Sequence, residues 1–337
     1  MKTFLSTCLF CLAFLTLPAQ SIHDPMEIIR IMDTSDILYS LDALFTPVIP
    51  DYSERVLLND FYVDRLSENT TTVKHYEPND SAVYHYEMAE TFFQQRNMEQ
   101  ARNHYQLALK ADPTYYKVMV YIGDTYYAQQ RYSEALTWYR RAIDSNYIDY
   151  LAHWACANAL VYLGQQDKAL REITIAKVLN RNNPRLTTKL MEIYRLNKKN
   201  YIDWYFTPLY ELSDDYDAES EKITVKIRFK DYWMSYAMAK AVWKYEPGYA
   251  EAMDNNLVLG EKEAVFAYWM IASSNKAAKK TLPAKVLKLA LDNRCYEAYV
   301  IYEALLPENP NIALYLGEEG IGMIADYILD VRSKVKK

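Results

Sequence analysis

The chain has 337 residues, enough for one large domain or two ordinary ones, and 51% hydrophobic with 24% charged residues is a globular composition that excludes a disordered chain. A net charge of −6, from 38 basic and 44 acidic residues, supplies no basic stripe for a general nucleic-acid binder. Only 7 glycines occur, which argues against Gly-rich phosphate loops and against β-sandwiches with their many glycine turns.

Residues 1–21 read as a secretory signal peptide. Lys2 gives the positive start, Phe4 to Leu17 form a mostly apolar stretch, and Ala19-Gln20-Ser21 places small residues before a cleavage site after Ser21. The stretch is shorter than the roughly 20 apolar residues of a membrane span. Cys8 and Cys11 lie inside the apolar core rather than at its end, so the lipoprotein pattern is missing. The expected localisation is therefore exported: periplasmic, outer-surface or secreted. Cleavage would leave Cys156 and Cys295, read as two separate buried thiols, although an exported chain permits a bridge.

Residues 22–81 form an irregular, mixed segment. Met26–Phe45 carries two short helical patterns divided by Asp33-Thr34-Ser35. Tyr62–Leu66 and Thr70–Tyr76 suit a hairpin around Ser67-Glu68-Asn69, and Asn69-Thr70-Thr71 matches the N-glycosylation pattern.

From Ala82 the chain repeats itself every 34 residues: 82–115, 116–149 and 150–183 align without a gap. Met88-Ala89 aligns with Ile122-Gly123 and Cys156-Ala157. Ala101, Ala135 and Ala169 share one slot, and Ala108, Ala142 and Ala176 another. Within each unit the apolar residues recur three or four apart over two segments, as in a pair of amphipathic helices. The first unit places them at Val83–Gln94 and Met98–Lys110. Turns are read at Arg96-Asn97, Arg131-Tyr132 and Gln165-Gln166. Such a hairpin cannot bury its apolar face alone, so neighbours must stack. Leu186–Asn197 reads as an unpaired capping helix.

This pattern resembles the tetratricopeptide repeat (TPR) family over Ala82 to about Pro184. Alanine at slots 20 and 27, aromatics at slot 24 in the first two units and Pro113 at slot 32 carry the likeness. His85, Tyr147, His153 and Arg181 depart from it. The resemblance implies a mainly α fold: a solenoid of three helical hairpins plus a capping helix over 82–203.

Residues 204–337 read as a mostly helical C-terminal unit with a small β-hairpin. Lys222–Lys230 alternates strictly between apolar and polar residues, a half-buried strand. Phe206–Leu212 is its expected partner across an acidic loop, Ser213–Glu221. Helices are expected at Tyr232–Tyr245, Glu261–Ser274, Ala284–Ala290, Tyr296–Leu305 and Ile321–Ser333, punctuated by Pro247-Gly248, Pro283 and Pro307.

Catalytic chemistry finds little to stand on. The histidines, 23, 75, 85, 104 and 153, show no His-Glu-x-x-His spacing. No Gly-x-Ser-x-Gly elbow and no Gly-Lys-Ser/Thr loop occurs. Asp214-Asp215 and Glu318-Glu319 read as solvated charge, and GEEGIG, with Gly317, Gly320 and Gly322, as a turn into the last helix. No catalytic residue, cofactor or metal is therefore assigned.

Binding has a better basis. The resemblance implies that the first helices line a concave surface through slots 2, 5, 9, 12 and 13. The candidate groove residues are Tyr86, Glu90 and Phe93 of the first repeat, Lys117, Asp124 and Tyr127 of the second, and Trp154, Asn158 and Tyr162 of the third. The slots of the family's chaperone-tail clamp hold Tyr86, Glu90, Tyr121, Leu151 and Ala155, so a cationic clamp for a terminal carboxylate is absent. Tyr232, Trp233, Tyr236 and Trp243 form a second aromatic set, read as a core stripe with sugar stacking as the competing role. The expectation is a non-enzymatic, exported scaffold holding a protein or peptide partner in an envelope assembly. Alternatives are a carbohydrate- or nutrient-binding protein using the C-terminal aromatics, and an enzyme with its site in the C-terminal unit. No nucleic acid and no membrane span enter this reading, and the oligomeric state is not fixed by it.

Overall fold

The computed structural model describes residues 22–335 apart from 54, 58–59, 68–69, 200, 219–221 and 256. The signal-like segment 1–21, and the Glu68-Asn69 turn with its glycosylation pattern, lie outside the described residues. The described chain divides into two compact units. The first comprises 53–203 and 309–329; the second comprises 22–52, 204–308 and 330–335.

In the first unit, β2 (Phe61–Ser67) and β3 (Thr70–His75) pair antiparallel, the expected hairpin. Six helices follow as three antiparallel hairpins: α2 (Asp80–Gln94) with α3 (Met98–Ala111), α4 (Tyr116–Ala128) with α5 (Tyr132–Ser145), and α6 (Tyr150–Tyr162) with α7 (Gln166–Leu179). The capping helix α8 (Pro184–Leu196) packs on α7. Side-chain caps from Asn79, Asn97, Asp149 and Asn183 start four of these helices. Tyr132 and Gln166 are first residues of their helices, not turn residues.

What lets the helices approach is legible in burial. Ala89, Ala101, Ala108, Ala135, Ala142, Ala157, Ala169 and Ala176 are all fully buried, and so is Gly123. The large residue opposite, Tyr105, Tyr139 or Ile173, fills the space beside each small pair and is itself buried. Gly123 is the tightest point: a Cβ there would meet the Tyr139 ring at 2.4 Å.

Each hairpin turn repeats one backbone device. Arg96, Gln130, Gly164 and Lys198 stand 34 apart and all have positive φ, 60°, 60°, 71° and 55°. Each follows a helix C-terminus, where a left-handed residue closes the last turn, and only Gly164 adopts it without steric cost.

The departures from the repeat pattern have physical reasons. His153 is buried with Nδ1 2.7 Å from Glu172 and Nε2 3.0 Å from the Tyr147 carbonyl oxygen. Arg181, fully buried where the family keeps proline, donates to Asp203 at 3.0 Å. The segment 309–329 also joins this unit. It contributes a 3-10 turn (Pro310–Tyr315) that contacts α7 and the helix α15 (Gly317–Asp330), tied by Arg171 Nη1 to Asp326 Oδ1 at 2.5 Å. With α6, α8 and this segment around it, α7 is buried on every side from Ile173 to Leu179.

In the second unit, α1 (Pro25–Thr34) opens with a capping box between Asp24 and Glu27. The second helical pattern of the N-terminal segment is instead a strand, β1 (Leu38–Ala43). It pairs parallel with β5 (Lys222–Phe229), and β4 (Tyr210–Asp217) pairs antiparallel on β5's other side, giving the order β1-β5-β4. The sheet thus has three strands, and residues 213–217 of the expected acidic loop belong to β4. Val225 and Ile227 face inward and are fully buried. Arg228 meets Glu211 at 3.6 Å on the outer face. Next come α9 (Met234–Tyr245), α10 (Pro247–Asn255), α11 (Leu257–Ala272), α12 (Leu282–Asp292) and α13 (Tyr296–Tyr299). The last passes into a π-helical stretch, Val300–Leu305, and ends as α14 (Leu306–Glu308).

Two measurements test the packing and the turns. Gly123→Ala is expected to cost about 1–3 kcal/mol in urea unfolding, because the Tyr139 ring has nowhere to go. A variant with an unchanged midpoint would break the close-approach argument. Gln130→Gly is expected to gain, and Gly164→Ala to lose, about 1 kcal/mol; equal midpoints for both variants would deny the left-handed turn its cost.

Candidate functional site

The nine candidate groove residues lie on α2, α4 and α6. The structure ties several of them into the array. Tyr86 sits among Tyr105, Tyr115 and Tyr121, with ring centroids at 6.3, 6.0 and 5.4 Å. Glu90 accepts from the Tyr105 hydroxyl. Asp124 accepts from the Tyr139 hydroxyl at 2.6 Å, the same interaction one repeat on. Burial pushes the Asp124 carboxyl up to about 6, against the pull of the Tyr139 hydrogen bond, and the Glu90 charge adds to the rise. Phe93 is half-buried and packs on the first repeat's core. Lys117 is half-buried and paired with Asp60.

The third repeat differs. Its position facing slot 9 holds Ile173, which has no hydroxyl, so Asn158 lacks the tie that Glu90 and Asp124 have. No side-chain hydrogen bond of Asn158 occurs among the described residues. One turn earlier, the Trp154 indole N–H is shut off from solvent and has no acceptor. Buried donors of this kind are rare and costly. Trp154 and Asn158 are four residues apart on α6, hence on one face.

An aromatic ledge joins the second and third repeats where first helices turn into second helices. Tyr132 stacks on Tyr162 at 4.5 Å with an interplanar angle of 9°. Tyr127 meets both edge-on, at 5.2 and 5.7 Å. Tyr162 remains 62% exposed. Sequence reasoning named Tyr127 and Tyr162 but missed Tyr132, having placed it in the turn.

Sequence reasoning also missed a polar ladder at the opposite ends of the first helices. Asp112, Asn146 and Asn180 recur 34 residues apart, each at the C-terminus of a second helix. Asn180 grips both main-chain groups of Leu57, accepting from its N–H at 3.3 Å and donating to its carbonyl oxygen at 3.2 Å. Asn146 donates to the Phe61 carbonyl at 2.9 Å, and the Val63 N–H donates to it at 3.4 Å. Asn182 donates to the Arg55 carbonyl at 3.1 Å, and Tyr76 donates to Asp112 at 2.7 Å. The chain's own residues 55–57 and 60–63 thus lie against the array at the third and second repeats, held mainly by hydrogen bonds between array side chains and their main-chain groups. The recurrence at 34 was the signal available in sequence.

The second unit holds buried ionisable side chains, each with hydrogen-bond partners. Glu261 accepts from Tyr236 at 2.6 Å and Lys240 at 2.7 Å. Glu263 faces His23 Nδ1 at 2.8 Å and accepts from Trp243 Nε1 at 3.0 Å. Arg332 donates to Glu303 at 2.6 Å. Trp233, Tyr236 and Trp243 are buried, so three of the four aromatics considered for sugar stacking are core, and Tyr232 is half-buried against Trp233 and Tyr268. Cys156 and Cys295 are not bridged to one another; Cys156 is buried and Cys295 half-buried. Among the described residues no cluster of three or more His, Cys, Asp or Glu side chains is placed to hold a metal, and no helix is long and apolar enough to cross a membrane.

Comparison with known proteins agrees with the hairpin architecture. Residues 86–150 match the family model described as tetratricopeptide repeat. No curated protein matches the sequence. Among solved structures, the first TPR domain of Spaghetti (RPAP3), bound to an HSP90 peptide, is similar at 19% identity over 35% of this chain and 94% of that one, with a TM-score of 0.34. The N-terminal domain of stress-induced protein-1 from C. elegans is similar at 18% identity over 34% and 94%, with a TM-score of 0.31. The Yersinia enterocolitica type III secretion translocator chaperone SycD is similar at 20% identity over 36% and 96%, with a TM-score of 0.34. The chain carries a TPR array within a mostly helical fold.

Proposed function

We propose that this protein is a non-enzymatic, exported scaffold whose TPR array holds an extended protein or peptide segment, in an assembly of the cell envelope. The observation that carries this reading is the third repeat's first helix. There the Trp154 N–H and the Asn158 amide have no hydrogen-bond partner among the described residues, beside a ledge of three tyrosines with one ring 62% exposed. Rigid aromatic rings give large contact area at small entropic cost, and unmet polar groups between them favour a ligand with donors and acceptors of its own. A polypeptide main chain is such a ligand. The array already takes main-chain groups from its own residues 55–57 and 60–63, on the ladder side. Export rests on the layout of residues 1–21.

Replacing Tyr127 and Trp154 together by Ala should lower recovery of the bound partner from envelope extract at least tenfold, since hot-spot aromatics contribute about 2 kcal/mol or more each. Far-ultraviolet circular dichroism should stay unchanged. Full recovery with intact helicity would rule out this surface. Separately, the intact mass of the chain isolated from its own host should correspond to a protein beginning at Ile22. A mass that retains residues 1–21 would refute cleaved export while leaving the binding surface untouched.

A further inference from the structure

The surface of the second unit has an open pocket of about 700 Å³. Trp269 and Ser273 of α11, Lys279 of the loop after it, Lys285, Lys288 and Leu289 of α12, and Lys334 and Val335 near the C-terminus are among its walls. Four of the lining residues are lysines and none is a carboxylate. The whole chain is acidic, at −6, so this is a local inversion of the charge balance. Lys288 has one counter-charge, Asp292 at 2.6 Å. Lys279, Lys285 and Lys334 have no ion-pair partner among the described residues. Like charges gathered around one concavity repel one another in the empty state and raise the local concentration of anions. The lining is not wholly polar: Trp269, half-buried, with Leu289, Ala284 and Val335, offers an apolar wall. The volume lies in the range of small-molecule sites, roughly 300–1,000 Å³.

We infer that this cavity is a binding site for a small polyanion carrying a planar apolar ring, its phosphate or carboxylate groups set among Lys279, Lys285, Lys288 and Lys334 and its ring against Trp269. The ammonium groups are strongly hydrated point charges on flexible stems, suited to several anionic oxygens rather than one fixed bidentate partner. The ring gives selectivity that the charges alone do not supply.

The test is calorimetric titration of the full chain with a panel of probes, without divalent cations. The panel is adenosine triphosphate, benzene-1,3,5-tricarboxylate, inorganic pyrophosphate and adenosine. The first two should bind, and bind more weakly as salt is raised. Pyrophosphate, which lacks the ring, and adenosine, which lacks the charge, should each be about tenfold weaker or worse. Lys279→Glu/Lys285→Glu should weaken the ring-bearing anions at least tenfold, and Trp269→Ala should abolish their advantage over pyrophosphate. Lys110→Glu/Lys168→Glu makes the same charge change on exposed residues of the array and should leave binding within about twofold. The phosphate and carboxylate probes together distinguish which anion the site prefers. The inference fails if neither ring-bearing anion binds. It also fails if the Lys279/Lys285 and Lys110/Lys168 variants behave alike, or if pyrophosphate equals adenosine triphosphate in the unmodified chain.

Discussion

The first unit depends on how closely helix backbones approach at fixed positions of a 34-residue unit. Alanine or glycine at the eighth, twentieth and twenty-seventh slots brings the helices together. The bulky residue at the twenty-fourth then closes the remaining volume. None of these groups is exposed. Interiors packed to crystal density tolerate neither an added methyl nor a void without cost. Because the same contact recurs in each repeat, its consequences recur too. The turns close with a left-handed residue at the same slot, and the second helices end with an Asp or Asn at the same slot. The tyrosine hydroxyls of the first two repeats reach a carboxylate fifteen residues back.

That recurrence makes the third repeat informative. Ile173 replaces the tyrosine and Asn158 replaces the carboxylate, so an internal hydrogen bond present twice is missing once. A hydroxyl-to-carboxylate bond of this kind, with one charged partner, contributes about 1.5–3 kcal/mol when shielded from water. The third repeat gives it up and keeps polar groups in place. It also buries the C-terminal half of its second helix, Ile173 to Leu179, on every side under α8 and the segment 309–329, which recovers apolar contact that a terminal hairpin would lack. The stability of this repeat comes from packing on its second helix, and its first helix is left chemically unsatisfied.

The hairpins were legible in sequence because their period is short-range and their small residues are spaced without a gap. The strand at Lys222–Phe229 was legible because one of its faces is buried and the other charged. β1 was not. It is an edge strand, and Leu38 and Leu41, both about half exposed, stand three apart and imitate a helical face. The acidic residues of β4 read as loop because Asp and Glu are poor strand formers in isolation; cross-strand cations on β5 offset that. Pro247-Gly248 looked like a break, yet proline in a first helical turn has no hydrogen bond to lose, and α10 begins there. Of the groove residues, sequence placed all nine on first helices but could not tell which were already engaged. Lys117 is taken by Asp60, fifty-seven residues earlier in a segment with no periodicity of its own. The partner of the ladder was hidden for the same reason.

The two ends of the first helices therefore do different work. The ladder of Asn146, Asn180 and Asn182 bonds to main-chain groups, which every residue offers, so it has almost no sequence selectivity. Such a site suits a segment delivered by covalent connection, where the effective concentration makes selectivity unnecessary. The tyrosines of the ledge contact one another and present faces and edges of rings, which discriminate by shape. A free partner competing with residues 55–57 and 60–63 on the ladder would face a tethered rival at high local concentration, while at the ledge it meets none among the described residues. On the function proposed above, an outside segment is therefore recognised at the ledge and along α6 rather than on the ladder.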